Sequence, residues 1–485
     1  MNSSDVLFAG NGILALSAAF ELIRRSPSTR ISIVGPRSRT GAGTSASGAM
    51  LNCFAEVTKY TLISEASRAK FAMCRDSLAL WPTWLDRVEE AGGLPPVPTK
   101  DGTVVLENTV SGDLDSENFD AMIAAAAEFG ATHEVTDPRK IAGLAPTPSA
   151  RPLRALFLPD EGAVESGSFY STLTAALVAR GVAFVDGEVK ALIRTADRVT
   201  GVLTADGESW SGDTVVVAAG AFTTPILDTV LDPADVQPVF AGAGISLITH
   251  RPNARPFDHV VRSVTRAGSC GLHAIPMPDG RDYVGATNLI FAEPRTRTSA
   301  GLSHFLLQCA IDQLNHSFSF AEIDEWRIGN RPVSLDTYPL LGRGPLEGLY
   351  IATGTYRDGF HNSPLIARIV ADDLLGAEDR YEHPFDPTRR PIGSMSVEES
   401  VGESSYQAAC TGFEASLVLP RLWRHDALPA MFIPGMARMY EDLGVRFGFS
   451  PDIVPFLVSG AFSETGSDRE AYLRVKSLLQ PGQAV

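Results

Sequence analysis

Val6-Leu7-Phe8-Ala9-Gly10-Asn11-Gly12-Ile13-Leu14-Ala15 is the stretch that decides the fold. Four apolar residues suited to a strand run into a Gly-x-Gly turn, and apolar periodicity predicts a helix from Ile13 to about Arg25. Ile31 to Val34 is the next apolar strand, so the segment reads strand-turn-helix-strand at the spacing of a dinucleotide-binding fold. Each residue type has a physical reason. Gly10 permits the tight turn, Gly12 lets backbone approach a pyrophosphate, and small Ala15 lets helix and strand pack closely. Ile13 opens the helix whose positive end receives the phosphate. The same spacing recurs at Gly41-Ala42-Gly43-Thr44-Ser45-Ala46, but only the first copy lies between a strand and a helix. An acidic residue for the ribose is expected at the end of the second strand. Gly35-Pro36-Arg37 stands there, and no Asp or Glu occurs from Ser32 to Gly48. Arg37 and Arg39 either hold a phosphate, as in an NADP site, or are solvated loop charges.

Outward from this unit, a small-residue loop covers Thr40 to Gly48 and a long helix is expected from about Glu65 to Ala91, broken at Pro95, Pro96 and Pro98. Short helices are expected over 119–130 and 137–144, and another from Ser166 to Arg180. Strands and turns alternate from Val182 to Ala219. They end in Thr214-Val215-Val216-Val217-Ala218-Ala219-Gly220, an apolar run suited to a parallel strand buried on both faces. Residues 236–326 read as strands with one helix, about Ser303 to Leu314. A strand at Tyr350 to Thr353 and a helix at Pro364 to Leu375 follow. Pro384 to Ser405 resembles a linker, and helical segments are expected around 406–418, 432–443, 451–460 and 467–479. The apolar residues of this tail (Phe413, Leu417, Trp423, Met431, Met436, Met439, Tyr440) point to packing on the main body or a partner subunit. A lid or a docking surface is the other reading.

With 485 residues the chain is too long for a single core. A net charge of −16 without any Lys/Arg run argues against a nucleic-acid partner, and no apolar run is long enough to span a bilayer. The N-terminus lacks the basic region of a signal peptide. Five cysteines (Cys53, Cys74, Cys270, Cys309, Cys410) form no CxxC pair, which suits free thiols in a reducing cytoplasm. The nine histidines show no HxxxH spacing, so no metal site is expected.

A second constellation chooses among nucleotides. Gly329-x-Arg331-Pro332, Asp336, Pro339-x-x-Gly342 and Gly354-x-x-Arg357-x-Gly359 followed by Ser363-Pro364 occur in that order. They follow Ser47-Gly48-Ala49-Met50-Leu51, Asp160-Glu161-Gly162-Ala163-Val164-Glu165 and Ala218-Ala219-Gly220-Ala221. On these residues, across roughly 4 to 376, the chain resembles the D-amino-acid oxidase superfamily of flavoproteins, in its glycine oxidase and sarcosine oxidase-like branch. The resemblance implies FAD, its isoalloxazine between Ala46–Leu51 and Gly354–Gly359. Cofactor contacts are then expected from Gly10, Gly12, Ile13, Ser47, Ala49, Met50, Val189, Gly220, Gly354, Arg357, Asp358, Gly359 and Phe360. Gly354 and Gly359 would let backbone N–H groups approach the flavin. Gly329 stands where sarcosine oxidases attach the flavin covalently, which implies noncovalent FAD.

For substrate, a guanidinium grips a carboxylate bidentately and keeps its charge. The resemblance gives that role to Arg331, with Arg357 beside it; structural ion pairs are the alternative. His273 stands where the glycine oxidase pattern carries an active-site tyrosine. It either orients substrate, takes the ammonium proton, or is a satisfied core histidine. His361 replaces an apolar residue common in the family.

The expected architecture is α/β. A Rossmann-like FAD-binding domain (1–85, 150–235 and 327–378) is interleaved with an antiparallel-sheet substrate domain (86–149 and 236–326), then a linker (379–405) and a helical C-terminal extension (406–485). The expected function is FAD-dependent oxidation of a carboxylated amine, with hydride leaving Cα for the flavin, imine hydrolysis, and reoxidation by oxygen to hydrogen peroxide. His273 and the extension suggest a specialised relative with an N-substituted glycine or unusual amino acid as substrate. Alternatives are a dehydrogenase with another electron acceptor, an NADP-dependent reductase, or a flavin-free binding protein. The partners expected are the amine and oxygen, without nucleic acid or membrane; homo-oligomerisation stays open.

Overall fold

Alternation in the first strand feeds two apolar layers at once. In Ser3–Ala9, Val6 and Phe8 face one side and Leu7 and Ala9 the other, which is the period of two that a buried parallel strand requires. The protein, a computed structural model, is described over residues 3–110, 112–265, 271–393, 395–414, 417–420 and 427–480. Cys270 and Trp423 lie outside those residues.

Ser3–Ala9 pairs in parallel with Ile31–Val34 on one side and Ser209–Val217 on the other. Ala183–Val185 and Leu349–Thr353 extend the parallel sheet outward, and Leu340–Arg343 closes one edge antiparallel. Helices Ile13–Arg25, Glu65–Gly92, Ser166–Ala179 and Ser363–Leu375 cover one face around Phe8, Phe20, Trp81 and Phe169. The hairpin Val189–Thr195/Arg198–Thr204 and the helix Thr223–Leu227 cover the other. This is the Rossmann-like layer.

The second layer is an eleven-stranded, mainly antiparallel sheet. Its long central pair is Val239–His250 with Glu322–Ser334; Arg281–Gly285, His273–Pro276, Val260–Ser263, Thr99–Asn108 and Pro152–Val164 follow in that order. The boundaries expected at 150 and 327 fall inside this sheet. Pro152–Val164 and all of Glu322–Ser334 are ladder strands of the second layer, so Arg331 projects from the antiparallel sheet and not from the Rossmann-like one.

Local expectations hold unevenly. Asp113–Glu128 is one helix that starts before the expected 119–130 segment, with Asp113 and Asp115 in its first turn. Over 137–144 only the 3-10 turn Pro138–Lys140 forms, because Pro138 and Gly143 (φ +73°) bracket a segment too short for an α-helix. The expected linker is partly a helix: Val397–Glu414 begins within it, and Glu398 and Glu399 favour its N-terminus. The part before that helix is pinned. Arg389 makes a two-pronged ion pair with buried Asp336, at 2.9 and 3.0 Å.

The extension helices Val397–Glu414, Ala427–Leu443, Val454–Phe462 and Ser467–Leu479 share one apolar core with the back of the second sheet. Phe456 meets Phe240 at 4.8 Å between ring centroids, and Met436, Met439 and Leu443 pack in the same core as Val333 and Leu335. Packing on the main body is therefore the observed arrangement.

Candidate active site

Where the two layers meet lies a chamber of about 490 Å³. One end is formed by the Gly10–Leu14 turn. Gly10 has φ +115°, and a Cβ there would stand 2.5 Å from the carbonyl oxygen of Ala218, so strand and turn touch backbone to backbone. A Cβ on Gly12 would meet only the hydroxyl of Thr44, at 3.4 Å, and would otherwise enter the chamber. The helix from Ile13 has no side-chain cap at Gly12 and no acidic residue in its first turn, which leaves its positive end open to an anion. Thr44 Oγ1 accepts the Ile13 N–H at 3.0 Å, stitching the second glycine-rich loop to the first.

The missing acidic residue has a physical cause. A Cβ on Gly35 would lie 2.5 Å from Cγ of Asn11, and the Asn11 amide donates to the carbonyl of Pro36 at 3.0 Å. Asn11 fills the space that a side chain at 35 would take. The acidic residue brought to this edge is Glu188, just before Val189; both line the chamber. Arg37 points away, 88% exposed, and pairs with Asp186 at 3.3 Å. Arg39 lines the chamber, stacked 3.6 Å over the Tyr170 ring, and its buried Nη1 has no hydrogen-bond partner among the described residues. An unpartnered buried guanidinium nitrogen, an open helix terminus and a glycine cradle together suit a phosphate-bearing nucleotide. The residues present fit FAD.

The expected site residues converge. Gly10, Gly12, Ile13, Ser47, Ala49, Met50, Val189, Gly220, His273, Arg331 and Arg357–Phe360 all line the chamber. Gly354 does not. It adopts φ +70° and packs against Leu340 and Tyr338, so it serves the turn and not a close approach to the chamber. The helix after this segment starts at Ser363, four residues beyond Gly359. Asp358 is partly buried; burial raises its pKa, but Lys70 at 3.0 Å and Arg357 outweigh that and hold the carboxyl below its ordinary value. His361 bonds the Cys74 carbonyl through Nε2 at 2.7 Å, while its own carbonyl accepts from Trp81. That ties the lining segment to the helix Glu65–Gly92.

At the far end the chamber is electropositive. Arg331 donates to three neutral acceptors: the carbonyls of Thr287 (3.1 Å) and Gly242 (3.5 Å) and the Asn288 side chain (3.3 Å). Among the described residues it pairs with no carboxylate. Glycines at 242 and 244 make room for it, since a Cβ at 244 would collide with the guanidinium. Arg357 has Glu56 at 4.0 Å, and Glu56 also pairs with fully buried Arg262. His273 is buried, bonds the Gly271 carbonyl through Nδ1 at 3.1 Å, and stacks on Tyr283 with centroids 5.7 Å apart. Burial, then the charge of Arg262, pushes its pKa down to about 3, so the ring is neutral at physiological pH. Tyr283, Glu56, Tyr356, Asn11 and Glu188 line the chamber without having stood out in the sequence. Tyr283 could have been found, being ten residues from His273 at the far side of a hairpin. Glu56 and Glu188 carry no local signal.

A protein-family model for FAD dependent oxidoreductases matches residues 5–373, and the chain belongs to that family. Glycine oxidase of Geobacillus kaustophilus (strain HTA426) is 24% identical over 400 residues, spanning 81% of this chain and 99% of the relative. The bifunctional protein ThiO/ThiG of Synechocystis sp. is 26% identical over 389 residues, and this chain spans 54% of its length. Among solved structures, glycine oxidase from Geobacillus kaustophilus superposes with a TM-score of 0.67 at 23% identity, covering 81% of this chain and all of that one. Iminodiacetate oxidase from Chelativorans sp. BNC1 gives 0.65 at 21% identity, covering 79% and 98%. The protein is thus an FAD-dependent oxidoreductase similar to glycine and amino-acid oxidases. No described helix is long and apolar enough to cross a membrane, and no group of three or more potential metal ligands occurs among the described residues.

Proposed function

We propose that the protein is an FAD-dependent oxidase of a carboxylated amine: glycine, an N-substituted glycine or another amino acid. The observation that carries this reading is Arg331, a guanidinium lining the chamber whose partners among the described residues are all neutral acceptors. A fixed cation without a carboxylate partner, at the wall of a partly apolar chamber, suits an anionic substrate group. The Rossmann-like layer holds the cofactor, and the antiparallel sheet supplies Arg331, His273 and Tyr283 to the substrate end.

FAD bound in the chamber supplies the two-electron acceptor for the Cα–H bond of the amine. Arg331 binds and orients the carboxylate, and Arg357 adds positive charge beside it. Orientation of this kind accounts for much of the rate in a reaction that needs no strong side-chain base. His273, with its pKa near 3, does not hold the ammonium proton at neutral pH and acts as a neutral orienting group. The substrate amine therefore arrives neutral, having left its proton to solvent, and water hydrolyses the imine product to an oxo-acid plus ammonia or an amine. Oxygen as final electron acceptor, with peroxide as product, completes the reading. The nucleotide is held by Gly10, Gly12 and Arg39, with Asn11 and Glu188 replacing the usual acidic residue at the ribose. Noncovalent attachment is supported by Gly329, which stands where sarcosine oxidases attach the flavin covalently.

Acid precipitation of the yellow holoprotein should release the flavin into solution. Anaerobic addition of candidate amino acids should bleach it, and Arg331→Ala should abolish bleaching by carboxylated amines. Protein that binds no FAD, or an Arg331→Ala enzyme that turns over carboxylated amines normally, would overturn this reading.

A further inference from the structure

The family match stops at residue 373, and a whole glycine oxidase aligns with about four-fifths of this chain. The helical extension lies beyond the family match, yet it is hydrogen-bonded to a residue of the chamber wall. Asp452, two residues before the helix Val454–Phe462, accepts a hydrogen bond from the Tyr356 hydroxyl at 2.8 Å, and Ser450 donates to its other oxygen at 2.9 Å. The same Tyr356 oxygen accepts from the Asn288 amide at 2.6 Å, and the Asn288 oxygen accepts from Arg331 at 3.3 Å.

These bonds run in one sense, Arg331 to Asn288 to Tyr356 to Asp452, from a guanidinium to a carboxylate. Asn288 accepts through its oxygen and donates through its nitrogen, and the Tyr356 hydroxyl both accepts and donates, so these bonds favour one orientation of the amide and one rotamer of the hydroxyl. Tyr356 is nearly fully buried, lines the chamber, and its backbone N–H donates to the Pro332 carbonyl at 2.8 Å, next to Arg331. Its ring belongs to the same apolar core as Phe456, Leu457 and Ile453 of the extension.

We propose that the C-terminal extension is part of the substrate site. Asp452 is a positioning residue that, through Tyr356 and Asn288, fixes the Arg331 guanidinium for a substrate carboxylate. The proposal rests on the carboxylate reading above. It makes the extension a specificity element of this chain rather than an appended module.

The test uses the full-length FAD-loaded protein, with glycolate and iminodiacetate as carboxylate probes and glycolamide as the uncharged control, followed by the flavin absorbance change. Tyr356→Phe and Asp452→Ala should weaken carboxylate binding roughly three- to tenfold, the effect of one lost hydrogen bond, with FAD content unchanged. Asp452→Asn retains an acceptor for the tyrosine hydroxyl and should recover most of the affinity. Val475→Ala, in the extension core but outside the chain of bonds, should lower Tm without shifting the probes. If Arg331→Ala loses carboxylate binding while Tyr356→Phe and Asp452→Ala keep it, the role given to the extension is wrong and the carboxylate reading stands. If Arg331→Ala binds the probes as wild type does, or wild type shows no preference for them over glycolamide, the carboxylate reading itself fails.

Discussion

Alanine at Gly10 and alanine at Gly12 should damage different things, although the two glycines share one turn. At Gly10 the added Cβ would lie 2.5 Å from the Ala218 oxygen and 2.8 Å from its carbon, both main-chain atoms that cannot rotate away. Relief to an ordinary contact needs a shift of roughly 1 Å between the turn and its neighbouring strand, and overpacking of that kind costs about 1–3 kcal/mol. The φ of +115° adds backbone strain of about 1–3 kcal/mol for a residue with a Cβ. Gly10→Ala should therefore destabilise the flavin-free protein by roughly 2–6 kcal/mol. At Gly12 the only neighbour is the Thr44 hydroxyl at 3.4 Å, and φ is −76°, so alanine fits. The apoprotein should lose about 1 kcal/mol or less, the difference between glycine and alanine at a helix N-cap. Its Cβ instead takes chamber space beside the helix terminus, and FAD should bind at least about tenfold more weakly. Urea unfolding of flavin-stripped protein, paired with FAD titration by fluorescence quenching, separates the two. Equal apoprotein losses, or wild-type FAD affinity in Gly12→Ala, would refute the division of labour.

Three further outcomes follow from the site. Gly35→Glu alone should lose FAD affinity because Asn11 occupies the space, whereas the double variant Asn11→Gly/Gly35→Glu should regain it; a double variant no better than the single one would show that the two positions are not coupled. His273 has a folded-state pKa near 3 against an ordinary 6.5, so its neutral form contributes stability that is present above pH 6.5 and lost as pH falls toward 3, by up to about 1.4 kcal/mol per unit. His273→Phe should flatten the fall of Tm over that range, and an unchanged slope would count against the depressed pKa. Asp336→Asn removes the charge that balances buried Arg389 and should cost about 3 kcal/mol; limited proteolysis should then cut within 386–392, a segment that stays resistant if the ion pair is not what pins it.

Periodicity exposed the first strand, the helix after it and the buried run at Thr214–Gly220, because each is a local pattern with a single solution. Of the chamber's lining, Gly10, Gly12, Arg331, Arg357 and Gly359 were legible because each sat in an ordered motif. What stayed hidden depends on contacts between distant residues. Asn11 looks like any residue between two glycines until its side chain is seen lying where one at Gly35 would go. Gly354 resembled Gly359 in the motif, but packing against Leu340 assigns it to the turn. The boundaries at 150 and 327 failed because strand patterns do not say which sheet a strand joins; Pro152–Val164 and Glu322–Ser334 reveal it only through their partners. The first half of Val397–Glu414 was hidden because serines, Ser400, Ser404 and Ser405, fill its buried positions, so no apolar periodicity set it apart from a linker.

The parallel sheet also constrains how the protein can be born. Its central strand, Ser3–Ala9, leaves the ribosome well before Ser209–Val217, which follows some two hundred residues later, and Leu349–Thr353 comes later still. The second sheet is threaded through the same gaps, so neither layer can finish while the other is absent. The cofactor cradle is complete only when most of the chain has been synthesised. Until then the apolar N-terminal strand is an open edge, exposed to mispairing and to chaperones. Flavin capture is accordingly a late event in the life of the chain, and flavin supply during expression would govern how much of it survives to the folded state.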